Sequence, residues 1–155
     1  VYIRLGRSKV ETIFDENYKF RIGKGTVVKE GTDVTLFACG IMVETALKAA
    51  EILASDGINA AVVNLSTIKP LDTALIVKMA EETKAAVTCE EHTILGGLGS
   101  AVAEVLVENC PIPMERVGVE DKFGQSGLPD ELLKAYGLTA EKIAEKAKAA
   151  IARKA

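Results

Sequence analysis

Apolar residues along this chain fall into two rhythms that alternate from one end to the other. Residues 34–38 and 60–65 read as continuous apolar runs, which suits strands buried on both faces of a parallel sheet. Residues 42–53 instead carry apolar side chains at helical spacing, with Ala46, Leu47, Ala50 and Leu53 on one stripe and Gly57 placed as a terminator. After Pro70 breaks the chain, Asp72 is positioned to cap a helix over 73–84 whose Leu75, Ile76, Met79 and Ala80 turn inward. A third strand is predicted over 85–89, a helix over 100–108 behind the glycines at 96–99, and a strand over 114–119 introduced by Pro111 and Pro113. The tail reads as two helices. One spans 128–136 with Pro129 in its first turn and Gly137 at its end, and the other spans 140–153 with Thr139 as its cap.

Strands and helices exchanging at this spacing predict an α/β fold of three layers, a parallel sheet covered by helices on both faces with right-handed crossovers. Thr26-Val27-Val28, between Gly25 and Gly31, adds a short strand at an edge. The opening Val1-Tyr2-Ile3-Arg4-Leu5 also reads as a strand, and the stretch 8–19 after it is polar and turn-like. Because a strand needs a sheet, residues 1–7 are expected to be the end of a preceding domain, residues 8–25 a linker, and residues 26–155 the domain proper. A processed N-terminus, or a strand joining this domain's own edge, is the alternative.

Composition narrows the function classes. A hydrophobic share of 48% with 26% charged residues is the balance of a chain that buries a full core. The net charge of -3 gives no general attraction to nucleic acid or to anionic lipid, so neither is expected as a partner. No apolar run approaches the roughly 20 residues needed to span a bilayer, and no secretory leader opens the chain, which makes the cytoplasm the expected location. Cys39, Cys89 and Cys110 are odd in number and lack metal-ligand spacing, and are expected to be small buried thiols. Lys142, Lys146, Lys148 and Lys154 on the last helix read as a solvated face.

In open α/β sheets ligands gather at the carboxyl ends of the strands. Three such ends stand out: Cys39-Gly40; Glu90-Glu91-His92; and Glu120-Asp121 running into Phe123-Gly124-Gln125-Ser126-Gly127. They are expected along one rim. Gly96, Gly97 and Gly99 open a helix, where free N–H groups and the helix dipole favour an anion; close packing of helix on sheet is the other use of such glycines. A stand-alone nucleotide binder would use them in the first way. His92, the single histidine, suits proton transfer near neutrality or a structural or interface role. Glu90, Glu91 and His92 do not make a metal site, because neighbours in a strand point to opposite faces. Arg4 and Arg7 flank Leu5-Gly6, and their guanidinium forks suit either a phosphate or an interdomain ion pair.

Taken together, Tyr2-Ile3-Arg4-Leu5-Gly6-Arg7, the run from Thr88 to Gly99, and Phe123-Gly124-Gln125-Ser126-Gly127 with Tyr136-Gly137-Leu138-Thr139 resemble the C-terminal section of transketolase over essentially the entire chain. The superfamily also holds 1-deoxyxylulose-5-phosphate synthase and the beta subunits of 2-oxo-acid dehydrogenases. Arg4-Leu5-Gly6-Arg7 is closer to the split-type transketolase pattern than to the synthase's Arg-Tyr-Pro-Arg-Gly. The resemblance implies a mostly parallel five-stranded sheet in which Val27-Val28 forms the one antiparallel edge strand. It places residues 1–7 at the end of a pyrimidine-binding domain and the catalytic glutamate upstream, so no catalytic residue is expected here. Thiamine diphosphate and Mg would belong to the complete enzyme, with none expected in this fragment. The implied partners are the N-terminal thiamine-binding domains or subunit, a second copy in a homodimer, and sugar phosphates, with Arg7 contacting the substrate phosphate. A non-catalytic dimerisation or docking module is the reading from another class.

Overall fold

The computed structural model describes residues 2–6 and 10–154. Along the chain come β1 (Thr26–Lys29), β2 (Val34–Ala38), α1 (Met42–Ser55), β3 (Ala60–Asn64), α2 (Thr73–Thr83), β4 (Ala86–Thr93), α3 (Leu98–Asn109), β5 (Met114–Val119), α4 (Pro129–Ala135) and α5 (Ala140–Ile151). The strands form one sheet in the order β1-β3-β2-β4-β5. β1 pairs with β3 antiparallel, and the remaining neighbours pair parallel. This is the mostly parallel sheet with one antiparallel edge strand that the family resemblance implied.

The apolar runs are buried because helices cover both faces, so side chains of either parity meet a core. From β2, Val34, Leu36 and Ala38 join a cluster with α1 and α5, while Phe37 points into a second cluster with α2 and α3. The same alternation splits β3, with Ala60 and Val62 on one side and Ala61 and Val63 on the other. Thr35 is the polar member of β2, and its hydroxyl bonds to that of Thr83 on α2 at 2.8 Å, so the buried hydroxyls satisfy each other. Asp72 caps α2 by accepting from the Leu75 amide, and Thr139 caps α5 by accepting from the Lys142 amide.

Several boundaries differ from the sequence reading. The described residues 2–6 join no strand of this sheet, and Tyr2, Ile3 and Leu5 are 89%, 71% and 86% exposed, which does not bear on their expected place in a preceding domain's sheet. α2 stops at Thr83, and Lys84 takes up a left-handed conformation (φ 56°) as the C-cap. β4 runs on to Thr93 instead of ending at Cys89, and α3 begins at Leu98. Cys89 is buried, but Cys39 and Cys110 are only partly so. The lysines of α5 are not simply solvated: Lys146 reaches Glu115 on β5 at 2.9 Å and Lys148 reaches Asp56 beyond α1 at 2.7 Å. Among the described residues no helix is long and apolar enough to cross a membrane.

Candidate functional site at the strand-end rim

β2, β4 and β5 are parallel neighbours, so Cys39-Gly40, the end of β4 and Glu120-Asp121 lie along one rim, as expected. The middle of that rim is irregular. Cys89 pairs with Val117 and Thr93 with Val119, so β4 advances four residues while β5 advances two. The excess residues bulge out of the ladder, and such bulges re-aim side chains. Here they re-aim Glu90, Glu91 and His92 towards three different surroundings.

Glu90 turns inward and is 3% exposed. Its Oε2 accepts from the Leu98 amide at 2.8 Å and its Oε1 from the Gly99 amide at 2.9 Å. Both donors belong to the first turn of α3, where unpaired N–H groups and the helix dipole favour negative charge. The chain therefore supplies its own anion to the position a bound phosphate would need. The glycines follow from the same contact: a Cβ on Gly97 would run into the Glu90 carboxylate, and one on Gly99 would come within 2.9 Å of Thr88 Oγ1 and Arg116 Cδ. Gly97 and Gly99 thus serve close approach of helix to strand, whereas Gly96, at φ 72°, serves the turn before them.

Glu91 turns outward to the upstream segment. Arg4 Nη1 donates to the Glu91 carbonyl at 3.0 Å, and Arg4 Nη2 approaches Glu91 Oε2 at 3.5 Å. The sequence left Arg4 open between a phosphate contact and an ion pair; the structure engages it in the ion pair. Arg7 lies outside the described residues. His92 is exposed beyond both glutamates and is not brought together with them. No group of three or more His, Cys, Asp or Glu side chains converges as a metal site among the described residues.

Beside this rim lies a cleft of about 260 Å³ lined by Gly6, Val10, Glu11, Ile13, Gly40, Ile41 and Glu44. Its upstream wall is tied to α1 by the Glu11 amide, which donates to Glu44 Oε2 at 3.5 Å. Cys39 sits at the same strand end. Burial chiefly, and then the negative charge of Glu90, push its thiol up to about 11, against a smaller opposing pull from Arg4. Cys89, fully enclosed, is raised further by burial. Neither is poised as a nucleophile, which needs a depressed thiol pKa.

The third rim segment projects into solvent. Every residue from Glu120 to Asp130 is exposed, and Phe123 wholly so, yet the Tyr136 hydroxyl donates to the Phe123 carbonyl at 2.8 Å and fastens the loop to the end of α4. Sequence reasoning missed Arg116, whose Nη1 donates to the Ile94 carbonyl at 3.0 Å and whose stem packs over Gly99. An arginine in an edge strand carries no signal of its own, because the partner is a carbonyl set by the bulge.

Comparison with known proteins gives a consistent picture. A family model described as transketolase, C-terminal domain, matches residues 23–143. The 6-deoxy-6-sulfo-D-fructose transketolase subunit of Clostridium sp. is 50% identical over 99% of this chain, which covers 48% of that protein. The 1-deoxy-D-xylulose-5-phosphate synthase of Heliobacterium modesticaldum is 44% identical over 88% of this chain, covering 21% of that protein. A solved structure described as a split gene transketolase, inactive beta4 tetramer, matches 99% of this chain with a TM-score of 0.96 and 51% identity, over 50% of its own length. The chain thus spans about half the length of the transketolase relatives and a fifth of the synthase.

Proposed function

The chain belongs to the transketolase C-terminal domain family, and from that membership we propose that it is the assembly half of a thiamine-diphosphate enzyme that moves a two-carbon ketol unit from a ketose phosphate to an aldose phosphate. The other half is a thiamine-binding domain or subunit, corresponding to the length of the relatives that this chain does not span. The complete enzyme works as a homodimer with active sites between subunits, in the cytoplasm, on sugar phosphates such as those of the pentose phosphate pathway. Arg7 contacts the substrate phosphate.

One observation carries this reading. The rim where an open α/β sheet would bind a ligand is instead given over to the chain's own groups: Glu90 takes the first amides of α3, and Glu91 takes Arg4 of the upstream segment. A rim used this way organises an interface with what precedes it. Nor do the described residues fit the diphosphate and metal end of thiamine diphosphate, which needs free N–H donors and converging oxygen ligands. That cofactor would supply carbanion chemistry in the complete enzyme. What this chain adds is support and orientation.

The test is reconstitution of this chain with its thiamine-binding partner, thiamine diphosphate and magnesium. Two-carbon transfer from xylulose 5-phosphate to an aldose phosphate is the expected result. Turnover with pyruvate alone as donor would move the chain to the synthase or 2-oxo-acid dehydrogenase branch. Complex formation with no turnover on any donor would leave a docking module and overturn the transketolase reading.

A further inference from the structure

We propose that this chain docks on a second copy of itself through the two ends of the strand-end rim, the basic and apolar patch beside β3 in one copy receiving the acidic loop that follows β5 in the other. The proposal deepens the homodimer given under Proposed function, on which it rests, by naming a surface for it.

The two ends are opposite in charge and alike in carrying bare apolar side chains. Residues 19–24 hold Lys19, Arg21 and Lys24 with Phe20 and Ile22 between them and no acid. The Gly23 amide donates to Thr67 Oγ1 at 2.9 Å, which sets this segment beside Ile68 and Lys69. Phe20, Ile22 and Ile68 all stand exposed. Lys24 is engaged by Asp72, whereas Lys19, Arg21 and Lys69 make no ion pair among the described residues. At the other end, residues 120–131 hold four acids and one lysine, and Glu120, Asp121 and Asp130 are likewise unpaired among the described residues. Phe123 is wholly exposed and Leu128 largely so, while the Tyr136 hydroxyl holds the Phe123 carbonyl and presents the ring from a fastened backbone. Apolar groups rimmed by charge in this way mark interaction surfaces.

Topology makes the two ends self-complementary. β1 runs antiparallel to β3 with Thr26 opposite Asn64, so the residues before Thr26 emerge at the carboxyl end of β3. β3, β2, β4 and β5 are mutually parallel, so the loop after β5 leaves from the same rim. Three strand spacings of about 4.8 Å separate the two ends, or about 14 Å. A two-fold axis along the sheet normal, just beyond the rim, reverses both the strand direction and the order of strands. It sets the basic end of each copy opposite the acidic end of the other, and the contact is made twice, as an isologous interface requires. An axis along the rim would instead set like charge on like. Although the net charge of -3 gives two copies no general attraction, this distribution does. The middle of the rim, where Arg4 is bound to Glu91, is left to the upstream segment.

Sedimentation velocity on the purified chain, at micromolar concentrations, tests the proposal. The wild type should dimerise, and its dissociation constant should rise roughly ten-fold between about 0.05 and about 0.5 M NaCl as the charges are screened. Arg21→Glu/Lys69→Glu and Glu120→Lys/Asp130→Lys should each be monomeric, because each sets like charge on like in both contacts. An equimolar mixture of the two variants should dimerise again, since both contacts of the mixed pair join opposite charges. Recovery on mixing also shows that both variants fold. Phe123→Ser, which removes a ring standing wholly in solvent, should weaken the wild-type dimer by roughly ten-fold. A wild type that stays monomeric, or variants that remain monomeric when mixed although their circular dichroism matches wild type, would overturn the proposal. So would a dimer indifferent to salt, to both charge reversals and to Phe123→Ser, which would place the homodimer on another surface and leave the functional reading standing. Two-carbon transfer by the reconstituted enzyme judges that reading separately.

Discussion

The Glu90 carboxylate occupies the space that a side chain on Gly97 would need. Strand and helix are therefore matched through a residue with no side chain, and the match can be spoiled from either partner. Gly97→Ala should lower the unfolding free energy by about 1–3 kcal/mol, the usual cost of overpacking, in urea denaturation. Gly124→Ala, whose added methyl meets open space, should stay within about 0.5 kcal/mol of wild type.

Seen from Glu90, the same contact predicts a loss of charge-assisted bonds. Glu90→Gln keeps the shape but brings an NH₂ group against amide donors, and should cost about 1–3 kcal/mol. Because the first amides of α3 are already satisfied, titrating NAD, ATP or inorganic phosphate into the wild-type chain should give no saturable heat. Binding in the micromolar range would mean that Glu90 yields its place to a ligand.

These features mark the limit of what the sequence revealed. The two-layered burial of β2 and β3, the caps at Asp72 and Thr139, and the alignment of three strand ends on one rim were all legible, since each depends on local pattern or on connection rules. The bulge after Cys89 was not. It depends on how β4 and β5 register over their last residues, a relation between segments more than twenty positions apart that leaves no periodic trace. With the bulge went the separate fates of Glu90 and Glu91, which a regular strand would also have sent to opposite faces but could not have assigned to α3 and Arg4. Residues 2–6 join no strand of this domain's sheet; their β-branched and aromatic side chains suit a pleated surface, which the expected place at the end of a preceding domain would supply.

Asp72 joins three groups and should be costly to lose. It is 7% exposed and accepts from the Leu75 amide, from the Gly25 amide at 3.1 Å and from Lys24 Nζ at 3.4 Å. Asp72→Ala removes a helix cap and leaves the Gly25 donor without this partner, so a loss of about 2 kcal/mol is expected. Lys24→Ala should change stability by less than about 1 kcal/mol, because its ammonium is largely in water. Thermal melts of the two variants side by side separate the contributions.

The Tyr136 hydroxyl holds the Phe123 carbonyl and ties the exposed loop to the end of α4. Tyr136→Phe should leave global stability within about 1.5 kcal/mol, the net worth of one such bond, while amide exchange across 120–128 accelerates. Unchanged exchange would show that the loop is ordered by its own turns.

Cys39 gives the fold a dependence on alkaline pH whose sign is fixed. Burial and the nearby Glu90 charge raise the thiol from 9.0 to about 11, so above pH 9 the unfolded chain loses this proton first. Stability then falls as pH rises, because the folded state binds more protons than the unfolded one. The contribution is fully present below pH 9 and is lost as pH climbs through about 11, with a steepest slope of about 1.4 kcal/mol per pH unit. Tyrosines and lysines titrate in the same window, so the quantity to measure is the difference between wild type and Cys39→Ser, from urea denaturation at pH 8, 9, 10 and 11. That difference should shrink steadily across the window. Arg4→Ala, which removes a cation that favours the thiolate, should leave the onset near pH 9 and extend the decline to higher pH, whereas a pH-independent difference would show that the Cys39 thiol is reached by water.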